Sequence, residues 1–277
     1  MTRRINKIMR ENGKQRIVVK VGTSTLTHET GDLDLRSMER LVRAMADLKG
    51  EGNEMILVSS GAIAVGTAKL GLAERPKELR FKQAAAAVGQ CSMMHIYDKL
   101  FAEYNCNTAQ ILLTDTDVAD AERAAHLRAT FSALLEMGVI PVVNENDSVS
   151  SAEIETGVHK VLGDNDTLSA IVAKLCDADL LVLLSDIDGL FDSDPHANPD
   201  AKLLPEVREI TDEILAMAGG AGTWRGTGGM ATKLSAAQIA TAAGCDMVIS
   251  NGKQPQDLYD IAEGKSVGTR FIAKKEA

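Results

Sequence analysis

The octapeptide Gly226-Thr-Gly-Gly-Met-Ala-Thr-Lys233 sets three glycines and two threonines ahead of a lysine, and a helix-periodic run follows it. Glycines let backbone N–H groups approach an anion, a helix N-terminus adds partial positive charge, and Lys233 adds a full one. That combination suits a phosphate. The spacing differs from the G-x-x-x-x-G-K-[ST] of a Walker-A loop, and a flexible surface connection would have a similar composition. A second lysine-and-glycine arrangement stands near the other end of the chain. Arg16–Val21 is a β-branched strand-type run, with Lys20 near its end and Gly22-Thr23 as the turn after it. Lys20 alone fits an edge-strand gatekeeper. A strand rich in valine and isoleucine, however, belongs in the interior, where a lysine needs an anionic partner.

Three further stretches put polar groups at strand exits. Val58-Ser-Ser-Gly-Ala62 offers two hydroxyls and Gly61 ahead of a helix, a geometry for a carboxylate or phosphoryl oxygen or simply an N-cap at Ser59 or Ser60. Pro141-Val-Val-Asn-Glu-Asn-Asp-Ser148 crowds two amides and two acids together, acceptors that an amino-acid ammonium would use. Gly163-Asp-Asn-Asp-Thr167 opens a helix. Asp166 there either caps that helix or reaches across to hold Lys20 and Lys233, two like charges that need a carboxylate between them.

Other patterns carry less. Asn146-Asp-Ser148 and Asn165-Asp-Thr167 match a glycosylation sequon, but nothing points to secretion. Asp186-Ile-Asp-Gly189 lacks the remaining ligands of an EF-hand loop. The five histidines show no zinc-ligand spacing, so no metal site built from protein side chains is expected. No G-x-S-x-G elbow occurs.

The elements that must position these groups alternate. Strand runs are expected at Arg16–Val21, Glu54–Ser59, Thr108–Thr114, Val139–Asn144, Leu180–Ser185 and Asp246–Ser250, with an edge strand at Val267–Ala273. Helical patterns lie near Leu35–Lys49, Lys77–Tyr104, Asp120–Met137, Thr167–Cys176, Val207–Met217, Ala231–Ala243 and Asp257–Gly264. Continuous apolar strands between helices imply an α/β fold, a mainly parallel sheet covered on both faces. Neither a low-complexity linker nor an internal repeat divides the chain, so one domain is expected over residues 1–277, with a possible division in the 180s.

Composition narrows the function classes. The 277 residues are 45% hydrophobic but only 3% aromatic, so the core rests on aliphatic side chains, alanine and methionine. A formal net charge of −9 argues against sequence-independent binding to nucleic acid. The basic start (Arg3, Arg4, Lys7, Arg10, Lys14) lacks an apolar run of signal-peptide type, and no run approaches the roughly 18 apolar residues of a membrane span. The four cysteines lack C-x-x-C spacing and fit reduced, buried thiols in a cytoplasmic protein.

Taken in order, these blocks resemble the glutamate 5-kinase family: Val19-Lys-Val-Gly-Thr-Ser24, Ser59-Ser-Gly-Ala-Ile63, Gln83-Ala-Ala-Ala-Ala-Val-Gly-Gln90, Pro141–Asp147, Gly163–Asp166, Ser185-Asp186 with Gly189-Leu190, and Gly226–Lys233. The resemblance runs from about residue 15 to about residue 272. It implies a three-layer sandwich around a mostly parallel sheet of about eight strands, with a glutamate-binding lobe at about 15–180 and a nucleotide-binding lobe at about 180–272. It implies phosphoryl transfer from ATP to the γ-carboxylate of L-glutamate, the first step of proline synthesis. Lys20 and Lys233 then resemble the phosphate-stabilising lysines and Asp166 the acid that organises them. Ser60, with Gly61, and Asp147 and Asn165 match glutamate-binding positions. Gly22, Thr23, Ser185, Asp186 and the run Thr227, Gly228, Gly229, Met230, Ala231, Thr232 and Lys233 match ATP-binding ones. Many members continue into a C-terminal PUA domain, whereas this chain stops at Ala277, and Glu155–Leu162 makes the segment before Gly163 longer than in some members.

A glutamate γ-carboxylate, with an ordinary pKa of about 4.3, is already a nucleophile near neutral pH and needs no general base. Positioning and electrostatics would supply the catalysis, with Mg²⁺ carried mainly on ATP oxygens and water. The resemblance also implies feedback inhibition by proline, for which the polar segment Asn144–Leu162 offers a place. A homo-oligomer is the expected assembly. Another enzyme of the amino-acid-kinase superfamily (carbamate, aspartate, N-acetylglutamate or nucleoside-monophosphate kinase) or a non-catalytic ligand-binding regulator are the rival readings.

Overall fold

The computed structural model describes residues 13–149, 164–195, 197–218 and 229–274. Its first half runs β1 (Arg16–Val21), α1 (Thr23–Leu26), α2 (Leu35–Gly50), β2 (Glu54–Ser59), α3 (Ala62–Lys69), α4 (Leu79–Ala102), β3 (Thr108–Leu113), α5 (Asp115–Ala119), α6 (Ala121–Glu136) and β4 (Ile140–Glu145). The second half runs α7 (Asn165–Leu175), β5 (Leu180–Ser185), β6 (Glu206–Val207), α8 (Asp212–Ala218), α9 (Met230–Ala242), β7 (Asp246–Asn251), α10 (Asp257–Ala262) and β8 (Thr269–Phe271). One eight-stranded sheet results, in the order β3-β4-β2-β1-β5-β7-β8-β6. Neighbouring strands are parallel except β7 and β8, as expected for a sheet fed by helical crossovers.

Period-two alternation in the strands divides the core between two faces. Ile17, Val19 and Val21 join Met55, Leu57 and Val182 under α2, α3, α4 and α10. Val18 joins Ile56, Val58, Leu181 and Leu183 under α6, α7 and α9. Lys20 shares the parity of Val18, so it points to the α7 and α9 face. That parity selects its partners.

On the other face, α3 and α4 touch backbone to backbone. A Cβ added at Gly66 would lie 1.8 Å from the Ala85 carbonyl oxygen, and one at Gly89 1.8 Å from that of Ala62. Only glycine permits so close a crossing. It locks the start of α3, and with it Ser60 and Gly61, to the middle of α4.

Two expectations need correction. The stretch from Val207 opens with a strand, not a helix: Glu206–Val207 pairs in parallel with Arg270–Phe271, and Val207 is buried. The helix begins only at Asp212, where the Thr211 hydroxyl accepts from the Ile214 N–H at 3.4 Å. β8 is consequently not the edge strand, because β6 lies outside it. A two-residue strand is too short to show any period. Among the cysteines, none is paired, and Cys91 is exposed rather than buried because it falls off the inward stripe of α4 (Ala86, Gly89, Gln90, Met93, Tyr97). Among the described residues, no helix is long and apolar enough to cross a membrane.

Candidate active site

The carboxyl ends of β1, β2, β4 and β5 open into a cleft of about 470 Å³, the position where open α/β sheets bind ligands. Lys20, one residue short of the end of β1, is paired at Cα level with Val58 on one side and Leu183 on the other. Burial this deep requires a counter-charge, and α7 supplies it. The Asp164 side chain caps α7, accepting from the N–H groups of Asp166 (2.7 Å) and Thr167 (2.9 Å). Asp166 is therefore freed from capping and turns inward.

Its carboxylate holds both lysines. Lys20 Nζ lies 2.6 Å from Oδ1, and Lys233 Nζ, on the first turn of α9, lies 3.1 Å from Oδ2. The Thr232 hydroxyl donates to the same Oδ2 at 3.0 Å. Oδ1 is left to Lys20, whose ammonium meets it as a close ion pair. Asp166 is only 2% exposed. Burial pushes its carboxyl up, but the two ammonium groups together outweigh that and hold it below the ordinary carboxylate range. The clasp thus presents two cations at one place, anchored from beneath by one anion.

A second polar group lies at the exits of β2 and β4. Gly61 has φ +104°, the left-handed region open to glycine, and caps α3 with no side chain bonded to the first turn. The alternative of a Ser59 or Ser60 cap does not hold. Ser59 instead shares a 2.9 Å hydrogen bond with the buried Tyr97 hydroxyl. Burial raises the Tyr97 phenol well above its usual range, so it stays neutral. The Asn165 amide nitrogen donates to Ser60 Oγ at 2.5 Å and stands 3.5 Å from both the Ser59 carbonyl and Asn144 Oδ1. Asp147, Glu145 and Asn144 complete this side of the wall.

On the β1 and β5 side, Gly22, Thr23, Ser185 and Asp186 line the cleft with Lys233, and Ser185 donates to Asp186 at 3.0 Å. A Cβ on Gly22 would stand 3.7 Å from Lys20 Nζ. Gly229 caps α9, followed by Met230, Ala231 and Thr232, but of this run only Lys233 lines the cleft. Thr227 and Gly228 lie outside the described residues, as does Glu155–Leu162. Asn144 and Glu145, expected only as members of the polar Pro141–Ser148 block, line the cleft, as do Asp164 and Arg75, to which sequence reading assigned no role. Asn144 and Glu145 were legible as the polar end of an apolar strand. Nothing local marks Arg75.

A lysine–aspartate–lysine clasp at the strand ends of a helix-covered, mostly parallel sheet gathers positive charge suited to a phosphoryl group, and a model described as the amino acid kinase family matches residues 15–251. The chain belongs to that family. Among solved structures it resembles carbamate kinase from Giardia lamblia bound to AMP-PNP, with a TM-score of 0.64 at 18% identity over 94% of this chain and 99% of that one, a likeness of fold. Within the family it falls among the glutamate 5-kinases. It is 56% identical over 262 residues to the glutamate 5-kinase of Clostridium perfringens (strain 13 / Type A), covering 94% of this chain and 96% of that one. The glutamate 5-kinase of Carboxydothermus hydrogenoformans is likewise 56% identical over 263 residues, 95% of this chain but 69% of that protein.

Proposed function

We propose that this protein transfers the γ-phosphoryl group of ATP to the γ-carboxylate of L-glutamate, giving L-glutamyl 5-phosphate for proline synthesis. The observation that carries the reading is the clasp: two buried lysines held on one carboxylate where the transferring group would sit. A γ-carboxylate oxygen attacks the γ-phosphorus, the bond to the bridging β,γ oxygen breaks, and its electron pair leaves with ADP. Charge accumulates on the equatorial phosphoryl oxygens, and Lys20 and Lys233 face it already in place. The glutamate side is Ser60, Gly61, Asp147 and Asn165. Glu145 and Asp147 supply negative charge for the substrate ammonium. The ATP side is Gly22, Thr23, Ser185, Asp186 and the run Thr227–Lys233.

Among the described residues, no group of three or more metal-ligating side chains occurs. Mg²⁺ would be carried mainly on the ATP phosphates and water, where it would neutralise charge. Proline shares the α-carboxylate and amine of glutamate, so it competes at part of the same site and acts as end-product inhibitor. Calorimetric proline titrations should then weaken as glutamate is added, and an unchanged affinity would remove this regulatory role. The chain is expected to act as a homo-oligomer in the cytoplasm. The deciding experiment is ADP release with a panel of amino acids, with and without hydroxylamine to trap an acyl phosphate. Turnover of carbamate or N-acetylglutamate but not glutamate would sink the reading.

A further inference from the structure

A chain of amides, buried at Gln90 and Asn144, runs from the exposed Gln110 on β3 to the half-buried Asn165 at the cleft, and its polarity is set by the backbone. The Glu145 N–H, which can only donate, points at Asn144 at 2.9 Å, so the atom it meets must be the oxygen, Oδ1. Asn144 Nδ2 must then face the other way, and there it donates to Gln90 Oε1 at 3.0 Å. Gln90 Nε2 in turn faces Gln110 Oε1 at 3.4 Å. At the cleft end, Asn165 turns toward Asn144 Oδ1 and the Ser59 carbonyl, both pure acceptors, so it must present its nitrogen to them. Its own Oδ1 accepts from nothing among the described residues and is left for a donor entering the cleft. Ser60 Oγ, already accepting from Asn165, keeps its proton for an acceptor.

We propose that Gln90 is a positioning residue: by fixing the Asn144 amide it turns the Asn165 carbonyl oxygen to the ammonium of the amino-acid substrate. This deepens the kinase reading and rests on it for the identity of the substrate. Gln90 is 9% exposed and does not itself line the cleft, which it reaches only through Asn144. It is held in register by Gly89, whose contact with α3 fixes this turn of α4. Without the Gln90 acceptor, the Asn144 nitrogen would be buried with no partner. The amide would then be driven to rotate toward the cleft, and the Asn165 amide would rotate with it.

The test compares calorimetric binding of glutamate with that of glutarate, which keeps both carboxylates and lacks the ammonium. In Gln90→Met, a near-isosteric change without polar atoms, glutamate affinity should fall about tenfold, the scale of one hydrogen bond to a charged group. Glutarate affinity and the KM for ATP should stay within about twofold. Gln90→Glu keeps an acceptor oxygen and should restore glutamate binding. An unfolded fraction lowers the binding stoichiometry but not the affinity. Should Gln90→Met not fold, Gln110→Met at the exposed end of the chain should still weaken glutamate selectively. Equal loss of glutamate and glutarate, or no loss, overturns the relay. Wild-type protein that binds glutamate but releases no ADP from ATP would overturn the kinase reading and leave the relay standing.

Discussion

Replacing Asp166 by asparagine keeps the shape of the side chain and deletes the charge that two buried lysines share. At an effective dielectric constant of about 20, a pair of unit charges 4 Å apart is worth about 4 kcal/mol, so two such pairs amount to about 8 kcal/mol gross. Desolvating the carboxylate costs several kcal/mol, which the asparagine no longer incurs, and the net loss falls to about 3–5 kcal/mol. Asparagine also offers one acceptor where the aspartate offers two, so one of Lys20 (2.6 Å) and Lys233 (3.1 Å) must face an N–H₂ group. Urea denaturation at pH 7 should show the loss as a lower midpoint with an unchanged slope. Adding Lys233→Met to Asp166→Asn should recover much of it by removing one unpaired cation. The pH profile gives the sign independently. The folded-state carboxyl is depressed, so its contribution is present above the unfolded carboxylate pKa of about 3.9 and is lost as pH falls through the lower folded value. Asp166→Asn should therefore flatten the acid limb of the stability curve. A loss below about 0.5 kcal/mol at pH 7, or an acid limb unchanged by the substitution, would refute the clasp as a structural device.

Lys20→Ala and Lys233→Ala should each lower kcat by roughly 10²–10³-fold in the ADP-release assay, because each lysine meets charge that grows in the transition state. Near-normal kcat in either variant would remove that lysine from the transfer. Asp147→Ala should raise the KM for glutamate and barely move that for ATP, since an ammonium contact persists in ground and transition states alike. The reverse pattern would assign Asp147 to the nucleotide. Gly66→Ala drives a Cβ to 1.8 Å from a backbone oxygen, so α4 must shift. A loss of about 1–3 kcal/mol is expected, visible as a drop of more than about 2 °C in Tm, and an unchanged melting curve would contradict the contact.

The long elements were legible because each carries its own period. Arg16–Val21, Glu54–Ser59 and Leu180–Ser185 are largely apolar runs that match their strands end to end. The clasp was legible too, since a lysine in a buried strand demands an anion and Asp166 heads a helix. Its freedom from capping was not, because Asp164 and Asp166 are chemically the same and only the three-dimensional turn selects the capping residue. α5 escaped notice for a related reason: five residues carry no period, and its Thr114–Asp117 capping box is the only local sign. Gln90 sits in an alanine-rich helix where any polar residue reads as surface. Its burial depends on Gly89 meeting α3, a contact between successive helices that no periodicity within either one reveals.

The place of β1 has a consequence for the order in which the newborn chain can assemble. β3, β4, β2 and β1 form a contiguous half-sheet, complete once residue 145 is available. The opposite edge of β1, however, pairs with β5, which begins only at Leu180. Until then a strand destined for the middle of the sheet has one row of backbone groups unpaired. Its lysine waits without a counter-ion until α7 has been made, and shares that ion with Lys233 later still. The half-made protein therefore carries an open sheet edge with an ammonium facing the apolar side that α7 and α9 will cover. That charge disfavours pairing with another nascent chain while the rest is synthesised.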